Sequence, residues 1–363
     1  MTSHEFYMNL ALQNAQAMKG QTDPNPLVGA VIVNDNRIVG IGAHMKAGEP
    51  HAEIHAIRMA GEQTQGSTMY VTLEPCSHYG RTGPCALAVV KAGVKKVIVA
   101  TLDPNPLVAG NGVKILQEAG IEVIVGIGEA ESQKMNEVFN KFITQRLPFV
   151  TLKSGITLDG KIATATSDSK WITSEEARHD VHHLRNQHQA ILVGVNTVLK
   201  DNPELTTRIP HGRNPIRVIL DSALRIPLDY RVVTDGQAPT WIFTSQRHSL
   251  EKKEQLERQG VKVWVTDGAE QVNVKDVVRL LGEASVSSVL IEGGGEVNAS
   301  FIEHQLVDKV VLYMAPKLVG GRAAPTFLEG RGAEKMRDAL DLTDVSVTPI
   351  GNDFKWVGYP VYL

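Results

Sequence analysis

Cysteine is nearly absent: the chain of 363 residues has two, Cys76 and Cys85. One pair cannot form the disulfide framework of a small secreted protein, and thiols kept as metal ligands suit a reducing compartment. Long apolar runs are also missing. None approaches the roughly 18 residues of a bilayer-spanning helix, so no membrane partner is expected. The opening Met1-Thr2-Ser3-His4-Glu5-Phe6 has no basic stretch leading into an apolar core. No signal peptide is therefore expected, and a cytoplasmic location is. Excess charge is small: 37 Lys and Arg against 40 Asp and Glu leave −3, which argues against nucleic acid as a partner. Gly-x-Gly-x-x-Gly does not occur, which excludes the Rossmann dinucleotide fingerprint. What remains is a globular composition, 42% hydrophobic and 21% charged. The length exceeds the roughly 100–200 residues of one domain, so two are expected.

The first half alternates short apolar runs with helical periodicity. Residues 3–18 carry apolar side chains without Gly or Pro and predict a helix ending at Gly20. Thr22-Asp23-Pro24-Asn25-Pro26-Leu27-Val28-Gly29 is a loop held extended by two prolines. It is either a turn into the next strand or a rigid loop presenting the Asn25 amide to a ligand. Asn34-Asp35-Asn36 splits two strands, 28–34 and 37–43, as a hairpin. A helix runs from His51 to about Gly61, with His51 and Glu53 in its first turn. Strands at 68–73, 97–101 and 121–126 alternate with helices at 84–92 and 111–119. Such alternation predicts an α/β domain with parallel strands and helices on both faces.

The chemistry concentrates between His51 and Cys85. His51-Ala52-Glu53 is followed by Glu74-Pro75-Cys76-Ser77-His78-Tyr79-Gly80-Arg81-Thr82-Gly83-Pro84-Cys85. His51, Cys76 and Cys85 provide three ligands for zinc, and a three-ligand site with an open position is catalytic. Glu53, on the same turn, is placed to move protons between a zinc-acidified water and a leaving group. A structural zinc module would need a fourth ligand from His44, His55 or His78 and would leave Glu53 unexplained. The pattern is that of zinc nucleobase deaminases, His-x-Glu then Pro-Cys-x-x-Cys, except that eight residues rather than two separate the cysteines.

With its inserted loop, this stretch and the Asn25-Pro26-x-Val28-Gly29 segment resemble the deaminase half of the bifunctional riboflavin-biosynthesis deaminase/reductase family. The resemblance implies a cytidine-deaminase-like three-layer αβα domain over 1–147. It implies as substrate a small diaminopyrimidinone with a phosphoribosylamino group, whose 2-amino group leaves as ammonia. Asn25, His44, His78 and Arg81 fall where that family contacts substrate. Arg81 also suits a phosphate or ribose on physical grounds, its alternative being a solvated loop residue; His44 has the alternative of an ordinary loop histidine.

After a helix-bearing connector over 126–147, Pro148 opens the second half. Strand 149–153 leads into a loop and a short strand before Ala163. Thr173 or Ser174 caps a helix that carries His179, His182, His183 and His188, read as a solvated face. Strands follow at 190–194, 217–221, 240–244, 261–265 and 288–292, with helices near 251–258 and 273–283. Glu292-Gly293-Gly294-Gly295 ends a strand and opens a helix near 295, where backbone can approach a pyrophosphate or simply turn tightly.

Over roughly 149–360 this half resembles the reductase of the same family, a dihydrofolate-reductase-like α/β domain. The matching stretches are Lys153 through Leu158-Asp159-Gly160, Ser169-x-Trp171-Ile172-Thr173, Asp201-Asn202-Pro203-x-Leu205-Thr206-x-Arg208 and Glu292-Gly293-Gly294-Gly295. The resemblance implies an NADPH-dependent reductase over 148–363 that turns the ribosyl group into a ribityl chain. It puts Gly155, Trp171, Thr197, Asp201, Ser222, Gly294, Gly295, Glu296, Val297, Asn298, Ala299 and Ser300 on the cofactor. Ser169, Arg185, Leu205, Arg208 and Glu292 fall on the substrate. Lys153 is expected to protonate or polarise the ribose oxygen, or else to pack in the strand with its amine reaching solvent; Trp171 has core packing as its alternative. Ser245 and Arg247 are candidates for a 2′-phosphate contact. A homo-oligomer, dimer or tetramer, is expected.

Overall fold

The structure, a computed structural model, describes residues 3–78, 83–105 and 109–362. The chain divides into two compact units, 1–146 and 147–363. The sequence reading put its boundary one residue later.

In the first unit, α1 (Ser3–Gln16) buries Met8, Ala11, Leu12 and Ala15, spaced to fall on one helical face. β1 (Gly29–Asn34) and β2 (Arg37–Ala43) form a hairpin. Its turn residues Asp35 and Asn36 are both left-handed, with φ 47° and 60°, as a turn matching strand twist requires. There follow α2 (Ala52–Ala60), β3 (Thr68–Leu73), α3 (Cys85–Lys91), β4 (Lys96–Thr101), α4 (Asn111–Glu118) and β5 (Glu122–Val125). Among the described residues they build a five-stranded sheet in the order β2-β1-β3-β4-β5, with β3, β4 and β5 parallel. Helices α2, α3 and α4 pack Ala52, Ala56, Val89 and Leu116 on one face. Helix α1 packs Met8 and Leu12 on the other, against Val31 and Ile98.

Two local features fix the ends of α2 and of the 22–29 loop. A Cβ at Gly42 would lie 2.1 Å from the Ala52 carbonyl oxygen, so glycine lets α2 press against β2. The connector is two helices, α5 (Glu129–Met135) and α6 (Glu137–Gln145), meeting at Asn136. The buried Asn136 amide brackets Leu27: Oδ1 accepts its N–H at 2.8 Å and Nδ2 donates to its carbonyl at 2.9 Å.

The second unit opens with β6 (Phe149–Thr157), one unbroken strand where strand then loop was expected. The reason is tertiary: the strand pairs at its start with residues 288–291 and along its later length with residues 309–315, which sets Gly155 opposite Tyr313. Next come α7 (Glu175–Gln187), β7 (Ala190–Gly194), α8 (Val195–Asp201), β8 (Ile216–Leu220) and α9 (Arg231–Thr234). β9 (Thr240–Thr244), α10 (Leu250–Arg258), β10 (Lys262–Val265), α11 (Val274–Glu283), β11 (Ser288–Ile291) and α12 (Gly295–Glu303) continue the alternation. Ser174 caps α7, its side chain accepting from the Ala177 N–H. Three further strands, β12 (Lys309–Ala315), β13 (Asp341–Ile350) and β14 (Asp353–Val361), extend the sheet beyond the sequence reading. The nine-stranded order is β10-β9-β8-β7-β11-β6-β12-β14-β13, parallel as far as β12 and antiparallel from there. One face is covered by α11 and α12 through Val277, Leu281 and Phe301. The other is covered by α8, α9 and α10 through Val198, Val232 and Leu256. Among the described residues no helix is long and apolar enough to cross a membrane.

Candidate active sites

In the first unit, His51, Cys76 and Cys85 come together at the carboxyl ends of the parallel strands. Their ligand atoms lie within 4.8 Å of one another. His51 is the N-cap of α2 rather than a residue of its first turn, and Cys85 is the first residue of α3. The His51 Nδ1 faces both sulfurs, 3.3 Å from Cys85 and 3.6 Å from Cys76. The Cys85 N–H also donates to the Cys76 Sγ at 3.2 Å. The Cys85 thiol beside it, with help from His51, brings the Cys76 thiol down to about 4. Cys85 is pushed the other way by the Cys76 sulfur and by burial. Two sulfurs sharing one proton beside an imidazole fit a divalent cation that displaces the proton, and one nitrogen with two sulfurs is a zinc donor set.

Glu53 is buried at this cluster, and burial raises its carboxyl to about 7. Its Oε2 has no hydrogen-bond partner. A buried oxygen left free is costly unless a ligand completes it. His44 and Asn25 are also here: Asn25 Nδ2 is 3.0 Å from His44 Nε2, and His44 Nδ1 is 3.3 Å from the Pro50 carbonyl. Nδ1 thus donates to Pro50 and Nε2 accepts from Asn25, which suits a neutral ring. Burial lowers the His44 pKa accordingly. The His44 ring meets that of His51 edge-on, with centroids 5.2 Å apart. His78 is exposed, and Arg81 lies outside the described residues.

The sequence reading missed Asp103 and the role of Glu74. Buried Glu74 accepts four N–H groups, from Asp103, Gly110, Gly112 and Val113, at 2.7–3.2 Å. It thereby ties the β4–α4 loop to the loop that carries Cys76. Asp103, raised by burial, lies within electrostatic reach of Cys76 and His78. The available signal was an acidic residue at the end of an apolar strand.

In the second unit a cavity of about 1330 Å³ opens where β6, β7 and β11 end. At its floor Glu292 accepts from Arg185 Nε at 2.7 Å and Nη2 at 3.1 Å, and from Lys153 Nζ at 3.3 Å. Burial would raise the Glu292 carboxyl, but Arg185 and Lys153 outweigh it and hold it far below the usual range. The Lys153 ammonium also lies over the Tyr313 ring, 5.8 Å from its centroid. Tyr313 and Lys355 both donate to Asp180, which props that ring from behind.

Ser169, Arg208, Gly155, Trp171, Thr197, Asp201, Ser222, Gly294, Gly295, Glu296, Val297, Ala299 and Ser300 line this cavity as well. Trp171 is 63% exposed with the Arg178 guanidinium 4.4 Å over its ring, so core packing is excluded. Leu205 and Asn298 do not line it. Leu205 is buried, and Asn298 is buried and donates to the Phe327 carbonyl, so both support the wall from behind. Ser245 and Arg247 are not on the wall either: Ser245 donates to the Ser222 carbonyl, and Arg247 pairs with Glu270. His182, read as part of a solvated face, lines the cavity. His188 lies just past α7, its ring held by the Leu184 carbonyl and the Thr151 hydroxyl.

Comparison with known proteins covers both units. The family model of the cytidine and deoxycytidylate deaminase zinc-binding region matches residues 1–101, and that of the RibD C-terminal domain matches 148–356. The riboflavin biosynthesis protein RibD of Bacillus amyloliquefaciens is 48% identical over 98% of this chain and 96% of its own. The solved structure of Acinetobacter baumannii RibD is 40% identical with a TM-score of 0.88, covering 99% of each chain. A Thermotoga maritima structure described as a diaminohydroxyphosphoribosylaminopyrimidine deaminase/5-amino-6-(5-phosphoribosylamino)uracil reductase is 38% identical. Its TM-score is 0.83, and the match covers 99% of each chain. With both halves matched and near-complete coverage at such identity, the chain belongs to the RibD family of riboflavin biosynthesis proteins.

Proposed function

We propose that residues 1–147 form a zinc-dependent pyrimidine deaminase and residues 148–363 an NADPH-dependent reductase acting on its product. The first reaction is hydrolytic deamination of 2,5-diamino-6-(5-phosphoribosylamino)pyrimidin-4(3H)-one. The second reduces the ribosyl side chain to give 5-amino-6-(5-phosphoribitylamino)uracil. The observation that carries this reading is the pairing, in one chain, of the three-ligand cluster facing the free Glu53 oxygen with the cavity built on Lys153, Glu292 and Arg185.

In the first unit His51, Cys76 and Cys85 would hold zinc, which when bound would supply a water acidified to a pKa of about 7. Glu53 takes a proton from the attacking water and returns one to the amino group, so the new C–O bond replaces the C–N bond and ammonia leaves. A carboxyl raised to about 7 does both with little cost in either direction. Asn25, His44, His78 and Arg81 orient the pyrimidine and its phosphoribosyl arm.

In the second unit the cavity would hold NADPH, which when bound would supply the hydride for the opened ribose, and the Lys153 ammonium is placed to give the ribose oxygen its proton. Glu292 holds the Lys153 side chain in place. Ser169, Arg185, Arg208 and Glu292 face the substrate, with Leu205 supporting from behind. The helix opening at Gly295 turns its N–H groups toward the cofactor phosphates. A Cβ at Gly295 would lie 2.6 Å from the Thr326 carbonyl oxygen, so only glycine lets that helix start there. Exposed Val345, Val347, Phe354 and Trp356 on β13 and β14 support a homo-oligomer, dimer or tetramer. A cytoplasmic location suits two cysteines kept reduced.

The test supplies the diaminopyrimidinone phosphate with and without NADPH and follows ammonia and NADPH together. Ammonia is expected in both arms, and NADPH oxidation only as the deaminated product accumulates. NADPH oxidation without ammonia would overturn the order of the steps. Cys76→Ser and Cys85→Ser are each expected to lose zinc and ammonia release while still reducing the deaminated substrate. Full zinc content in both purified variants would show that other residues hold the metal.

A further inference from the structure

We propose that His182 is a substrate-binding residue of the second unit, joining Arg185 and Arg208 on the cavity wall as a ligand for the substrate's monophosphate. The inference deepens the reductase reading and rests on it.

His182 and Arg185 are three residues apart on α7, and both line the cavity, as does Arg208 from the segment after α8. The His182 Nδ1 is buried and has no partner. A buried ring nitrogen without a partner on a cavity wall is satisfied when a ligand's polar group reaches it. The charged and titratable groups within electrostatic reach of the ring are Arg185 and the His179 imidazole on its own helix, Arg208, and Glu292 at the end of β11. Arg185 is tied up by Glu292 and the Thr206 carbonyl. Its charge is therefore partly compensated, while the exposed Arg208 pairs with Glu204 at 3.6 Å. Around the ring Arg185, Arg208 and Lys153 stand against Glu292 and Glu204, a local excess of one positive charge that favours an anionic ester.

Burial and the two guanidiniums bring the ring's pKa down to about 4 against the pull of Glu292, so the free site holds a neutral imidazole. A bound phosphate reverses the local field, favours the imidazolium and gains a charge-assisted hydrogen bond. Binding then takes up a proton, and the contribution of His182 fades as pH rises above the ring's pKa in the complex. The second ionisation of the ester, near pH 6, acts in the opposite sense. It is common to the wild-type and variant chains and cancels in their ratio.

The experiment uses the full chain as wild type, His182→Gln and His182→Asn. Reduction of 5-amino-6-(5-phosphoribosylamino)uracil and of its dephosphorylated counterpart is measured from pH 6 to 9. Both variants are expected to raise KM for the phosphorylated substrate about tenfold at pH 6. That excess should shrink toward pH 9, with kcat, KM for NADPH and ammonia release unchanged and no added loss on the dephosphorylated substrate. An unchanged KM, a loss of equal size on both substrates, or a KM excess that ignores pH overturns the proposal. A second arm titrates ribose 5-phosphate calorimetrically in buffers of different ionisation enthalpy. Proton uptake in the wild type that is absent from the variants supports the role of His182, even if neither substrate is reduced; in that case it is the reductase reading that fails. Equal uptake in all three chains overturns the role.

Discussion

Replacing Glu53 with Gln is expected to slow ammonia release by about 10²–10⁴-fold, while zinc stays bound and the deaminated substrate is still reduced. Gln keeps the size and one hydrogen-bonding oxygen of Glu but cannot accept and return a proton. Glu53 is the second residue of α2, so its backbone position is set by helix geometry and not by its own side chain. The three metal ligands are unchanged, Oε2 has no hydrogen-bond partner to lose, and the contact of the carboxyl with the Cys85 sulfur can be kept by the Gln side chain. Removing a buried group that is raised to about 7 also removes a desolvation cost. The variant should therefore fold at least as well as the parent. Metal analysis, an ammonia assay and NADPH oxidation on the same preparation separate the outcomes. Normal ammonia release would mean that another group moves the proton, and loss of zinc would mean that Glu53 holds the site together.

Glu292→Ala is expected to destabilise the second unit by about 3–5 kcal/mol, the usual cost of stranding buried charge by deleting its partner. Here one carboxylate answers two cations, whose side chains are each 14% exposed. Reduction should be lost and deamination spared. The chain carries its own reporter: all four tryptophans, Trp171, Trp241, Trp264 and Trp356, lie in the second unit. Urea unfolding followed by tryptophan fluorescence therefore reads that unit alone, with ammonia release as the control for the other. Acid should act in the same direction. The carboxyl is depressed in the folded chain, so its stabilisation is complete above the unfolded value near 4.3 and is lost as pH falls below it. The parent should therefore lose stability below about pH 4 more steeply than the variant. Unchanged urea midpoints would show that Lys153 and Arg185 find water or other partners, and that the triad is not what holds the cavity floor.

The two sites differ in how readable they were, and the difference follows from how each is assembled. The metal cluster comes from one stretch of 35 residues between His51 and Cys85, and it uses every cysteine in the chain. Scarcity and order single it out. The Glu292 triad joins residues 139 and 107 positions apart, and no local periodicity marks Lys153 or Arg185. Those residues were reached only by resemblance. Transfer by position also brought along Leu205 and Asn298, which are buried and do not line the cavity. His182 was misread for the opposite reason. Its helix is polar almost throughout, so nothing local distinguishes a side chain in water from one on a cavity wall. The alternating strands were legible as far as β11. Gly155 misled because glycine signals a break, until pairing with Tyr313 on β12 overrides it.

Asn136 bears on where the chain can be divided. By strands alone the first unit is complete at Val125, and the next twenty residues read as a tether. Yet the buried amide from this tether grips Leu27 on both its backbone groups, two residues from Asn25. The helical tail thus serves as a buttress for the rim of the deaminating site. A stand-alone deaminase would have to keep α5 and α6, and the useful cut lies after Gln145. The connector belongs to the first catalyst in the way a keystone belongs to its arch, although by position it looks like the road to the second.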